Sequence, residues 1–255
     1  MPLSSIFETL FKRLLIISAL MMGITYWVKD ELPPPEYYDP NYLQAPLQEP
    51  TLKEPFSTRI KDQEYTIKPA FDYELHGVVV SYNDSDAITD IWHHKRWKDF
   101  LNLRDLCVVW GKNVESGVYQ NMEFHNDSWT CWASWSDSSI GSLFAMNALS
   151  NNHLLTDDDA VKAALMASEP GDHIRLKGVL AEYANTANGF SRGTSTSRDD
   201  TGNGACETVY LNEFEILKKA NPKLRRLYHL SSWLTIISLI GFAVAFVVAP
   251  ARISR

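Results

Sequence analysis

Cysteine is scarce in this chain, with three residues in 255: Cys107, Cys131 and Cys206. None stands in a CxxC pair or at a His/Cys spacing that makes a metal site. Three thiols allow one internal disulfide and one spare, which excludes a small fold stapled by several bridges. Charge is missing from two stretches, Leu14–Val28 near the start and Leu230–Ala249 near the end. Basic residues are few between them: residues 30–217 hold 14 Lys and Arg against 30 Asp and Glu, a net charge of −16. A surface that acidic repels a polyanion and argues against a nucleic-acid partner. No glycine-rich run ends in Gly-Lys-Ser/Thr and no acidic loop has EF-hand spacing, so neither a nucleotide nor calcium is expected.

The apolar ends are the strongest positive signal. About 20 apolar helical residues cross a hydrocarbon core of roughly 30 Å. Leu230–Ala249 meets that length by itself, and the first run meets it with Phe7, Leu10 and Phe11 added and Lys12 and Arg13 snorkelling. Tyr26-Trp27-Val28-Lys29-Asp30 is a poor cleavage site, so the first run reads as an uncleaved anchor. Two membrane spans are therefore expected, with the lipid bilayer as one partner. Lys12, Arg13, Arg252 and Arg255 put both termini in the cytoplasm and the central domain in a periplasmic or extracellular space. The basic cluster Lys218, Lys219, Lys223, Arg225 and Arg226 opposes that orientation.

The expected organisation is an N-terminal anchor over residues 1–30, a Pro-rich linker and lead-in over 31–70 and a soluble domain over 71–217. A basic juxtamembrane segment over 218–228, a second membrane helix over 229–249 and a tail over 250–255 follow. Prolines 33–35, 40, 46, 50 and 55 forbid helix interiors and favour an extended spacer. Phe71–Tyr82 and Leu106–Gly111 read as buried strands, and Tyr119–Phe124 and Ser128–Trp135 as a strand pair turning at His125-Asn126-Asp127. Thr156-Asp157-Asp158-Asp159 opens a helix that ends at Glu169-Pro170-Gly171. Asp172–Tyr183 and Thr208–Leu217 alternate as strands, the latter with a slip at Glu213 that predicts a bulge.

That order, with PGDHIRLKGVL followed by ETVYLNEFEILKK, resembles the last strands of the OB-fold domains appended to class II aminoacyl-tRNA synthetases. The resemblance covers Phe71–Leu217, and Gly77 fits a barrel corner. It implies an α+β, mainly β fold: an OB-like five-stranded barrel with one helix between strands 3 and 4, here flanked by two transmembrane helices. The acidic surface, the anchors and a long polar insertion between the last two strands depart from the family.

Two polar stretches carry the candidate chemistry, Ala148–Leu155 and Arg192–Glu207. Cys206 and His153 form the candidate nucleophile and base, with Arg192 or Arg198 supplying a cationic field and Asn151 or Asn152 orienting the imidazole. As a ligand site, the same loop offers Arg192, Arg198, Asp199, Asp200 and Asn203, with Asn152. The opposing reading places Cys206 in the barrel core. His93 and His94 read as one packed and one exposed histidine, and Trp129, Trp132 and Trp135 as core residues on alternating faces. Small residues at Gly241, Ala245 and Ala249, and at Ala19 and Gly23, form stripes that suit helix association in lipid. The expected role is a membrane-anchored binding domain that assembles with membrane or envelope proteins as a homo- or hetero-oligomer, without cofactor or metal. A cysteine-dependent enzyme using Cys206 and His153 is the alternative, and a cytoplasm-facing oligonucleotide-binding domain the second alternative.

Overall fold

A computed structural model describes residues 3–87, 92–200 and 205–248. The chain divides into two compact units, one made of residues 32–220 and one made of the two ends, 1–31 and 221–255.

The larger unit is built on a mixed sheet. In chain order its strands are β1 (Leu47–Pro50), β2 (Phe56–Ile60), β3 (Gln63–Asn83), β4 (Asn102–Val109), β5 (Glu123–Asn126), β6 (Cys131–Ser134), β7 (Leu149–Leu155), β8 (His173–Asn185), β9 (Ser191–Arg192) and β10 (Glu207–Lys218). Five of them close a ring in the order β3, β4, β7, β10, β8 and back to β3. Only β7 and β10 run parallel; every other neighbour in the ring is antiparallel. The parallel pair requires a crossover, and the chain supplies it through an α-helix of eight residues, Asp159–Met166, followed by β8. Asp158 caps that helix by accepting from the amides of Ala160 and Val161, and Leu165 anchors it in the core.

One side of each ring strand fills the interior with Tyr73, Leu75, Val79, Leu106, Val108, Leu154, Ile174, Leu176, Val209 and Leu211. The opposite side of β3 and β4 is covered too. Val78, Val80, Cys107 and Val109 pack under Tyr38, Leu43, Val114, Tyr119 and Phe144. β4 is consequently buried at all eight positions, which explains its continuous apolar run and gives its polar residues a special status. The strand is held to the outer layer by a disulfide from Cys107 to Cys131, whose Cα atoms lie 5.7 Å apart.

Strands expected over Asp172–Tyr183 and Thr208–Leu217 are present as β8 and β10, and the register slips between Leu211 and Glu213 as predicted. Two expectations need correction. The strand pair within Tyr119–Trp135 exists as β5 and β6 but forms its own two-stranded sheet outside the ring. The third ring strand is instead Leu149–Leu155, whose Ser, Asn, Asn and His residues disguise a buried strand as a loop. Residues 31–70, expected as linker and lead-in, carry β1, β2 and the first residues of β3. Their tyrosines dock: Tyr38 is buried and donates its hydroxyl to the Gly171 carbonyl at 2.9 Å.

Two glycines mark where ring strands approach too closely for a side chain. A Cβ at Gly77 would lie 2.8 Å from the Val109 carbonyl oxygen, and one at Gly178 only 2.0 Å from that of Tyr210. Backbone cannot yield as a flexible side chain can.

The smaller unit pairs two helices, Leu3–Val28 and Pro222–Val248. Their seam repeats every seven residues: Ser18 and Thr25 are buried on the first, Ser231, Ser238 and Ala245 on the second. Thr235 donates to Ser18 across it at 3.0 Å. Of the residues expected to associate, Ala245 is buried and a Cβ on Gly241 would lie 2.6 Å from the Phe11 ring. Ala19 is half-buried, nothing lies within 4 Å of a Cβ on Gly23, and Ala249 falls outside the described residues. Only Pro222–Val248 is long and apolar enough to cross a membrane among the described residues, where two such helices were expected. The N-terminal helix falls short because Glu8, Lys12 and Arg13 interrupt it, and Leu14–Val28 alone rises only about 22 Å at 1.5 Å per residue.

Replacing Gly178 with Ala should destabilise the protein by about 1–3 kcal/mol, the usual cost of forcing an extra group into packed structure. Gly193→Ala, where a Cβ meets nothing within 4 Å, should leave the urea unfolding midpoint unchanged.

Candidate functional site

The polar residues of β7 alternate between two environments. Asn152 shares a face with Leu154 and turns its amide to the Leu106 carbonyl, the Ser150 carbonyl and the Ser150 hydroxyl. Asn151 and His153 face the other way, beside the outer layer. Register then selects their neighbours. In the antiparallel pairing with β4, His153 lies directly across from Asp105; in the parallel pairing with β10 it lies across from Thr208, two residues after Cys206.

The result is a chain of three groups. His153 Nδ1 lies 2.7 Å from Asp105 Oδ1, with Asp105 fully buried and His153 3% exposed. The imidazole is close enough to the Cys206 thiol for its charge to act on the sulfur, and the thiol itself points to the Trp129 carbonyl at 3.6 Å. Asn151 Nδ2 lies 3.4 Å from the same sulfur and donates to the Trp129 carbonyl at 3.2 Å, while Asn151 Oδ1 accepts from Asn126 at 2.9 Å. Asn151 is thereby locked with its amide toward the thiol.

The electrostatics follow from these contacts. Burial pushes the Cys206 thiol up, but the neighbouring His153, helped by Asn151, outweighs it and holds the thiol below its ordinary range. For His153, burial lowers the pKa and Arg192 lowers it further, yet the Asp105 carboxylate prevails and the imidazole is raised above its ordinary value. Asp105 is driven up by burial and brought down, net, by His153. All three shifts favour a thiolate beside an imidazolium.

These groups open into a cavity of about 970 Å³ lined by Trp129, Trp132, Trp135, Asn151, His153, Arg192, Arg198 and Cys206. Cys206 is half-buried in its wall and not in the core of the ring. The three tryptophans, expected as core residues, are 43%, 56% and 45% exposed. They sit on or beside the β5–β6 hairpin, and the Cys107–Cys131 disulfide ties this wall to the strand that carries Asp105. His93 is buried against Trp97 and Trp129, behind the cavity wall. His94 lies 3.3 Å from Asp86, with its ring tilted against that of Phe100. No group of metal-ligating side chains forms among the described residues.

The remaining candidates separate. Arg192, Arg198, Asp199 and Asp200 all line the cavity. Arg198 is committed, paired with buried Glu207 and donating to Gln48 Oε1 at 2.6 Å, whereas Asp200 accepts from the Ser195 hydroxyl at 2.6 Å. Asn152 does not line the cavity, and Asn203 lies outside the described residues. The imidazole is oriented by Asp105 and neither asparagine performs that task. Asp105 does carry a sequence signal: a lone carboxylate leading into the apolar run LCVV, where an unpaired charge is too costly to keep.

The chain matches no protein-family model, no curated protein and no solved structure.

Alkylation of Cys206 by iodoacetamide, followed by peptide mass spectrometry, should proceed at a lower pH than an ordinary cysteine needs. Asp105→Asn should move the midpoint of that pH profile upward, because His153 loses the charge that keeps it protonated and the thiolate loses its cation. An unshifted midpoint would show that the Asp105 contact does not reach the thiol.

Proposed function

We propose that this chain is a cysteine-dependent enzyme acting on an acyl group, with Cys206 as nucleophile, His153 as general base and acid, and Asp105 as the residue that positions the imidazole. The observation that carries this reading is the buried 2.7 Å contact from Asp105 to a histidine that lines the same cavity as the only cysteine outside the disulfide. Nucleophile, base and orienting carboxylate in sequence is the arrangement that activates a thiol for attack.

The chemistry runs as an acyl transfer. The Cys206 sulfur attacks the substrate carbonyl carbon, a C–S bond forms and the carbonyl π pair moves to oxygen. The Asn151 amide, already at the sulfur, is the donor placed to meet that oxyanion. The pair returns, the bond to the leaving group breaks, and His153 gives the leaving group its proton. Water, deprotonated by His153, then cleaves the thioester and restores the thiol. Asp105 stabilises the imidazolium in both halves without changing its own protonation.

The surrounding architecture is read as an OB-like barrel presented from a membrane. The ring order with its single parallel pair and intervening helix supports the OB-like reading, and the exposed tryptophan wall suits a partner or ligand surface. That wall favours the second reading, a binding and assembly component of a membrane or envelope complex. For the compartment we propose an extracytoplasmic domain with both termini cytoplasmic and both helices in the membrane. The Cys107–Cys131 disulfide supports it, since such bonds persist in oxidising spaces.

Hydrolysis of p-nitrophenyl acetate should show a burst of nitrophenol with an acetyl group retained on Cys206. Cys206→Ser should remove the burst and lower turnover at least about 10³-fold. Retention of biological function in Cys206→Ser would leave the binding reading in place of the enzymatic one. Peptide mapping of protein from intact cells, blocked before lysis, should find Cys107 linked to Cys131 and Cys206 free; two reduced thiols there would put the domain in the cytoplasm.

A further inference from the structure

The cavity contains two arginines in opposite situations. Arg198 is neutralised by Glu207 and fastened to Gln48, which makes it part of the wall. Arg192 has no such partner: its Nη1 is withdrawn from solvent and meets no hydrogen-bond acceptor among the described residues. Its position is nonetheless set. The residue is fixed in β9, where its backbone pairs with Tyr183 of β8, and the guanidinium lies 5.6 Å from the centre of the Trp129 ring. It is close enough to Asp105 and His153 for its charge to act on both.

A buried guanidinium nitrogen without an acceptor is costly, and a planar fork of this kind matches a carboxylate. The acidic residues of the cavity do not fill the role. Glu207 pairs with Arg198 through Oε1, Asp200 accepts from Ser195 and Asp105 meets His153 through Oδ1; the second oxygens of Glu207 and Asp105 are buried, and neither forms a hydrogen bond with Arg192. Two positive groups, Arg192 and the imidazolium, thus line the cavity, both close enough to Asp105 for their charges to act on it.

We propose that the substrate carries a carboxylate, or an equivalent anion, close to the carbon that Cys206 attacks, and that Arg192 receives it. This deepens the thiol reading of the site and rests on it. Arg192 is a specificity-determining residue, and neutral acyl compounds are poorer substrates than their anionic analogues.

Two alkylating reagents of nearly equal size test this without a known substrate: iodoacetate, which bears the carboxylate, and iodoacetamide, which does not. The measured quantity is the ratio of their second-order rates at Cys206 in the full-length protein. It is taken at about pH 10, where imidazole is neutral and Arg192 still charged. The folded protein should show a ratio at least about tenfold above that of the same protein in denaturant, the scale of one charge-assisted contact. Arg192→Gln should bring the ratio back to the denatured value with an unchanged unfolding midpoint, and Arg192→Lys should leave it in between. Equal ratios in folded and denatured protein, or a raised ratio that survives Arg192→Gln, would overturn the assignment. The pH profile with iodoacetamide alone reports separately on the thiolate. An ordinary profile with a raised ratio would sink the catalytic reading and leave Arg192 as an anion site.

Discussion

Strand register is the constraint on which the rest of this protein depends. Asp105, His153 and Cys206 come from three different strands or strand ends, and they meet because β7 is flanked by β4 on one side and β10 on the other. A slip of one residue in either pairing would turn His153 to the opposite face, since side chains alternate with a period of two. The glycines enforce that register. Gly178 admits the Tyr210 backbone and Gly77 the Val109 backbone, so β8 against β10 and β3 against β4 fit in one alignment only. Closure of the ring through β3 and β8 then leaves no free edge along which the site strands can slide.

Burial supplies the second constraint. Tyr38, Leu43, Tyr119 and Phe144 cover the outer face of β4 at Cys107 and Val109, and Asp105 on the same strand is fully withdrawn from water. There its attraction to His153 is much stronger than it would be in water, and the imidazolium in turn stabilises a thiolate. The same burial would expel an unpaired carboxylate. Asn102 donates to Asp105 Oδ1 at 3.2 Å, so the strand contributes a hydrogen bond to its own buried charge. Its neighbour Arg104 is matched in the same way, donating to the Ser168 carbonyl at 2.6 Å and pairing with Asp84. Buried charges on β4 are thus each met by a specific partner, and in only one case does that partner reach a reactive atom.

Parts of this were readable from residue order. The alternation in DHIRLKGVLAEY and TVYLNEFEIL identified β8 and β10, and the slip at Glu213 located the bulge, because apolar spacing reports directly on one buried face. Cys206 and His153 could be paired as chemical types. β7 could not be recognised, because LSNNHLL satisfies its polar side chains through partners distant in sequence, such as Leu106, Asn126 and Asp105. The tryptophans were misplaced for a related reason. A large aromatic is assigned to the core by default, yet here a short hairpin outside the ring displays three of them beside a cavity.

By itself the sequence determined the apolar C-terminal helix, the acidic central domain, the sheet-rich class and the two reactive residue types, since each depends on composition or local periodicity. Only the tertiary structure decided that Asp105 faces His153, that Asn152 turns away while Asn151 turns in, that Cys107 takes Cys131 and leaves Cys206 free, and that Arg192 Nη1 meets no hydrogen-bond acceptor among the described residues. The physical reason is common to all four. Each depends on which residues a closed ring brings within a few ångströms, and 48 positions separate Asp105 from His153 in a chain whose local pattern carries no record of that distance.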